Sequence, residues 1–268
     1  MLQVSLNPGL GDGSWACLRA LCGHDELSAD AIGPVAATTL LDRLLVAMPG
    51  TTVAPGKAQE LAVCDCDRLL AALYVRDFGD RIEGSTTCAS CKQAFDLRFS
   101  LDDLLARVTT NTSDAAEGPD ADGLFTLSDG RRFRLPTAAD QQSVAGLDPE
   151  TATAELSARC VTSGDPNTNP ELLQTALDDV AGILDLDLDA QCPECDGKQT
   201  VHFDIQSYLL RTLAAEQRFL HREVHTIATV YRWRYQEILD LPREDRRAYV
   251  ALIQADRQAA AERRSVPL

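Results

Sequence analysis

Lysine is the scarcest charged residue in this sequence: the 268 positions hold three, Lys57, Lys92 and Lys198. Nearly all positive charge is therefore arginine, which reads as genome base composition and not as chemistry. Positive charge as a whole is also short, with 25 Lys+Arg against 41 Asp+Glu. A protein that tracks nucleic-acid phosphates needs a basic face, and this balance argues against one. The deficit is uneven. Residues 205–268 hold 11 Arg and 8 acids, which leaves 14 basic and 33 acidic residues in 1–204. An acidic body with an arginine-bearing helical tail suits a soluble protein that docks on other proteins. Long apolar runs are missing too; none approaches the roughly 18 residues of a membrane span. Gly9, Gly11, Asp12 and Gly13 stand where a signal core would lie, so the expectation is a cytoplasmic protein with reduced thiols. There is no phosphate-binding glycine loop and no serine nucleophile motif. Nothing supplies an acid, a base and a cavity together, so the expectation is no enzyme.

What is present is cysteine, nine of them, four in two Cys-x-x-Cys pairs. Sliding the sequence by 104 residues lays Cys88 on Cys192 and Cys91 on Cys195. The same shift lays Leu97 on Val201, Phe99 on Phe203 and Leu101 on Ile205. Each pair is preceded by strand-like residues, then followed by an alternating apolar strand and a helix-like run. Strand, two-cysteine turn, strand is a metal knuckle, and two knuckles make one tetrahedral four-thiolate site whose usual occupant is zinc. The expected ligands are Cys88, Cys91, Cys192 and Cys195. A closed four-sulfur shell leaves no position for water or substrate, so such a zinc is structural. Thioredoxin-like chemistry would need the dithiol at a helix N-terminus, whereas short turns and strands follow Cys91 and Cys195 here.

Other polar residues have plainer readings. His221 and His225 lie four apart on a helix, but Glu223 occupies neither glutamate position of the metalloprotease patterns. His24 and His202 have no partner constellation. Asp185, Asp187 and Asp189 alternate with leucines; they lack the glycine and terminal glutamate of a calcium loop and read as the wet face of a strand. Cys17, Cys22, Cys64, Cys66 and Cys160 show no second metal spacing, and buried apolar filler is the first reading of Cys64 and Cys66.

The predicted fold class is α+β, with a zinc-ribbon-like centre of two knuckle hairpins, surrounding helices and a helical C-terminal tail. Residues 1–80 read as an N-terminal helical segment. It includes a helix over 34–48, with Val35, Leu41, Leu44, Leu45 and Met48 on one face, and another from about Asp65 to Phe78. The first knuckle unit spans 81–107. Residues 108–123 lack large apolar side chains beyond Val108 and read as a flexible linker. Over 124–182 come a hairpin turning at Ser128-Asp129-Gly130, a helix capped by Thr137, one after Asp148-Pro149 and one after Asn169-Pro170. The second knuckle unit spans 183–210. Residues 211–268 are helical, broken near Arg232–Arg234 and restarted at Pro242, with a frayed end over 259–268.

AVCDCDRLLAALYVRDFGDRI leads into CASC; FRLPTAADQ follows the linker; CPECDGKQTVHFDIQSYLL follows the second lead-in strand; FLHREVHTIATVYRWRYQEILDLPREDRRAYVALI closes the series. In that order, over about residues 60–255, these stretches resemble the T4-type phage baseplate hub assembly proteins, including relatives encoded in contractile injection gene clusters. The resemblance implies a small non-enzymatic accessory protein that helps build the baseplate hub or tail of a contractile particle, with hub, spike or tail proteins as partners. His225, Tyr231, Trp233, Glu237, Ile238, Leu239 and Leu241 fall on the family's C-terminal pattern. Where relatives often have Gly before the Trp and Ser after it, this chain has Arg232 and Arg234. The family does not always keep all four cysteines, so zinc rests on this sequence. Tyr231, Trp233, Arg234 and Tyr235 form the candidate partner surface, being residue types enriched at interface anchors; the alternative is that the aromatics pack the tail on the body. The rival functional class is a zinc-ribbon nucleic-acid or transcription adaptor, which the acids around the second knuckle disfavour; a metalloenzyme ranks third.

Overall fold

A computed structural model describes residues 1–11, 13–109 and 113–265; Asp12, residues 110–112 of the expected linker and residues 266–268 of the expected frayed end lie outside it. The chain starts on a β-hairpin, β1 (Leu2–Leu10) against β2 (Gly13–Leu18), and not on helix as expected. Leu2, Val4 and Leu6 alternate with polar residues, the period of a half-buried strand. Three helices follow: α1 (Gly23–Leu27), α2 (Pro34–Leu44) and α3 (Val63–Phe78). α2 stops at Leu44, short of the expected Met48. Leu45 leaves it to bridge Leu18 of the hairpin, and Val35, assigned to the core face, is 59% exposed. α3 buries Leu69, Leu70 and Leu73 and ends on Gly79, whose φ of 88° only glycine adopts readily.

The first knuckle hairpin is β3 (Arg81–Thr87) and β4 (Ala94–Ser100), followed by α4 (Leu101–Thr109). The stretch beyond it is not a free linker. Ala116–Glu117 forms β5, the edge of a four-stranded sheet ordered β5-β6-β7-β8, and Ser113 Oγ donates to Asp179 Oδ2 at 2.7 Å. In that sheet β6 is Phe125–Leu127, and β7 is Arg132–Phe133. Next come α5 (Ala138–Val144), α6 (Pro149–Cys160), the short edge strand β8 (Val161–Ser163) and α7 (Pro170–Ala181). Thr137 caps α5 in a reciprocal box with Asp140, and Asp148 and Asn169 cap α6 and α7. Phe125, Leu127, Phe133, Leu135 and Leu173 make a second core under this sheet.

The second knuckle hairpin is β9 (Asp185–Gln191) and β10 (Lys198–Asp204). It feeds α8 (Ile205–Tyr231), then α9 (Tyr235–Asp240) and α10 (Arg243–Ser265), whose helix continues through residues expected to fray. Both hairpins stand on the main core, where Leu101, Ile205, Leu209 and Leu213 meet α3. The last helices are held differently. Arg246, fully buried, donates to Glu26 at 2.5 Å and Glu223 at 2.6 Å; Arg243, nearly so, donates to Glu26 at 2.8 Å and to Glu216, and its guanidinium lies over the Phe78 ring. Two tail arginines are thus internal struts and not docking groups.

Candidate metal centre

The site grows from two hairpins with one register. In the first, Arg81 pairs with Ser100 and Thr87 with Ala94; in the second, Asp185 pairs with Asp204 and Gln191 with Lys198. Every pair is displaced by the 104 residues that separate the cysteines. The turns agree in detail. Cys88 N donates to Gln93 O at 2.9 Å and Lys92 N to Cys88 O at 3.0 Å; Cys192 N donates to Gly197 O and Asp196 N to Cys192 O, both at 2.9 Å. Lys92 and Asp196, equivalent under the shift, both sit in the left-handed region, at φ 63° and 57°. This tight turn puts the two sulfurs of each pair on one side.

The hairpins face each other about a local two-fold axis. Phe99 and Phe203, equivalent residues, meet edge to face with centroids 5.1 Å apart. The sulfurs obey the same exchange: Cys88 Sγ lies 3.6 Å from Cys195 Sγ, and Cys91 Sγ lies 3.7 Å from Cys192 Sγ. All four lie within 4.8 Å of one another, close enough to hold a metal ion. Four sulfurs at about 2.3 Å from a tetrahedral ion are about 3.8 Å apart, so the donor set fits. Four sulfurs this close cannot all ionise without a cation between them. The Cys91 and Ser90 amides and the Cys195 thiol draw Cys88 down to about 6, whereas Cys91 is pushed up: the Gln93 amide opposes the rise, but burial together with the Cys195, Cys88 and Cys192 sulfurs outweighs it.

The surroundings fix the sulfurs. Cys88 and Cys192 are buried against Phe95 and Ala190, with Leu97 and Val201 alongside, while Cys195 is exposed. Gln199 ties the hairpins together: its Oε1 accepts from Ala89 N at 2.8 Å, and its Nε2 donates to Thr87 O at 3.3 Å. Gln199 carries no spacing signal that a sequence reading could find.

The remaining candidates stay apart. His221 and His225 are exposed on α8, and Glu223 between them turns to Arg246. His24 reaches Asp240 at 3.1 Å; His202 contacts Asp185 at 3.1 Å and Asp187 at 3.3 Å, partners that sequence reading missed across the ladder. Cys64 and Cys160 are buried, and burial pushes both thiols up to about 12. Cys66 is buried likewise, its thiol raised by the same cause, and it donates to Ala58 O. At the tail, Tyr231 and Trp233 stack at 5.2 Å and both meet Tyr249 edge-on, joining the end of α8 to α10. Tyr231 and Tyr235 remain 38% and 47% exposed, and Arg234 is exposed at the start of α9.

Fold and site together define an α+β protein whose two matched β-hairpins converge four thiols. No protein-family model matches the chain, and no curated protein and no solved structure matches it. Among the described residues, no helix is long and apolar enough to cross a membrane.

Proposed function

We propose that this protein is a non-enzymatic assembly factor or structural component of the baseplate hub of a contractile tail or injection particle, stabilised by one structural zinc. The observation that carries the reading is the ordered series of stretches that resemble the hub assembly family. In the fold these stretches meet although they are distant in sequence. Ala62, opening the first, bridges Thr137 of FRLPTAADQ. Asp67, in the first, accepts from Gln206 of the second knuckle stretch at 2.9 Å. Zinc is the occupant the donor set favours, since four thiolates at tetrahedral spacing select zinc or iron–sulfur chemistry over harder metals.

The test is affinity capture from cells carrying the whole gene cluster, with electron microscopy of a deletion strain. Recovery of a hub, spike or tail component and loss of complete particles is the expected result. Normal particles without the protein, and no tail component recovered, would refute the assembly role. Recovered DNA or RNA would favour the zinc-ribbon adaptor, which the exposed Asp187, Asp189, Glu194 and Asp196 around the second knuckle oppose.

A further inference from the structure

The two hairpins share a register but differ at one edge. In an antiparallel pair, the N–H and C=O of a residue point together, either at the partner strand or away from it. On β3 the outward groups of Glu83 and one of Thr87 are covered, while Ser85, the counterpart of Asp189, has no such partner among the described residues. Tyr208 Oη accepts from Glu83 N at 3.2 Å and donates to Glu83 O at 2.9 Å, and Gln199 covers Thr87 O. On β9 the phase follows from the bonds that close the ladder, Cys192 N to Gly197 O and Ile205 N to Leu184 O. Alternation from these leaves Asp185, Asp187 and Asp189 pointing outward. β9 pairs with β10 alone, and among the described residues nothing bonds the outward N–H of Asp187 or Asp189. At Asp187 the shift shows why. The counterpart of Tyr208 is Leu104, which lines the same cleft and has no hydroxyl.

That cleft is half open, about 960 Å³ in volume, and runs between the hairpins past the open edge. Half-buried Leu97, Phe99, Leu188 and Val201 give it an apolar wall. The charge beside the edge has also diverged between the repeats. The exposed side chains of β3 and β4 are balanced, with Arg98 3.5 Å from Glu83 and 3.8 Å from Asp96. Their counterparts on β9 are Asp185, Asp187 and Asp189, all exposed, answered on β10 by His202 and, at the far end, Lys198.

We propose that the outer edge of β9 is a docking site that takes an extended segment of a partner protein by strand addition, with Arg or Lys at alternate positions. Backbone groups of Asp187 and Asp189 would supply the ladder. A residue opposite an outward aspartate shares its face, so alternate positions call for positive charge, and the positions between them turn to the apolar wall. The inference needs only the hairpin geometry and does not depend on the hub reading.

The test uses the full-length protein and a short labelled peptide alternating arginine with valine. Fluorescence anisotropy reads binding, and hydrogen exchange reads the amides. Expected are binding that weakens with salt, slowed exchange at Asp187 and Asp189, and no binding of the same peptide N-methylated along its backbone. Asp187→Pro removes an outward donor and leaves the ladder to β10 intact; it should weaken binding about tenfold. If that variant fails to fold, the N-methylated peptide still decides the question on the unaltered protein. Failure of the parent peptide to bind, equal binding of the N-methylated or an all-acidic peptide, or protection at β10 instead would each overturn the proposal. So would concentration-dependent self-association that protects the same amides, which would make a second copy the occupant.

Discussion

Single residues carry more of this fold than their number suggests, and two are buried ionisable groups. Arg246 is fully buried and bridges Glu26 of α1 to Glu223 of α8. Removing one partner of a buried pair costs about 3–5 kcal/mol; here Glu26 would keep only Arg243, and Glu223 only the longer contact to Arg247 at 3.4 Å. Arg246→Ala should therefore lower the denaturation midpoint strongly, and Arg247→Ala, on an exposed side chain, should barely move it; equal small effects in chemical denaturation would contradict this role. Asp67 is the second. Burial raises its carboxyl to about 7 from an ordinary 3.8; Gln206 and the Leu184 amide oppose the rise, and Asp204 and Asp185 add to it. The folded state then holds a proton across that window which the unfolded chain has lost, so this group's contribution falls as pH rises from about 4 through about 7. Asp67→Asn should flatten the stability–pH curve over that window. A slope unchanged by the substitution would show that Asp67 is ionised in the fold. Neither role is legible in sequence, where Arg246 looks like one more tail arginine and Asp67 like one more acid in an acidic chain. Burial, and not residue type, decides both.

At the scale of elements, legibility tracks how local the signal is. The turns announce themselves. Asp129-Gly130, Thr137 with Asp140, and Asn169-Pro170 each act within four residues, and each stands where expected. The hairpins of the metal centre were legible for another reason: a repeat samples the same local code twice, and agreement between Cys88–Leu101 and Cys192–Ile205 separates signal from chance. Elements that depend on distant partners were missed. The hairpin of β1 and β2 is held against α3, where Asp65 accepts from Asn7 N at 2.7 Å and Gly9 N at 2.8 Å. β5 is two residues long and has meaning only beside β6. Absence of large apolar residues suggested a free linker, yet Ala115 and Ala116 pack on the second core. Deleting 113–117 should therefore destabilise the four-stranded sheet, seen as faster hydrogen exchange across Phe125–Leu127, whereas shortening the Pro119–Asp122 turn should cost little. Equal tolerance of both deletions would restore the linker reading.

For the whole molecule, the four-cysteine cluster brings together segments about 100 residues apart. The main core also ties these segments to α3, so metal loss should loosen the molecule without unfolding it. Structural zinc in isolated finger peptides contributes an apparent 10–16 kcal/mol at neutral pH; the remaining core makes a smaller dependence expected here. Cys192→Ser should lose the metal, expose the hairpins to proteolysis and leave far-ultraviolet helix content largely intact. His221→Ala and His225→Ala should leave metal content unchanged, because both side chains are exposed on α8. Release of metal by either would break the four-cysteine assignment. Because ligation needs four thiolates, affinity should fall as pH is lowered, in step with thiol protonation.

The proposed zinc site is closed and all-sulfur, with Cys88, Cys91, Cys192 and Cys195 as its four ligands. X-ray absorption at the zinc edge, on protein purified without chelator and with thiols reduced, tests it most directly. The prediction is one zinc per chain with four sulfurs at about 2.3 Å. No zinc, or a first shell containing nitrogen or oxygen in place of a sulfur, would contradict it.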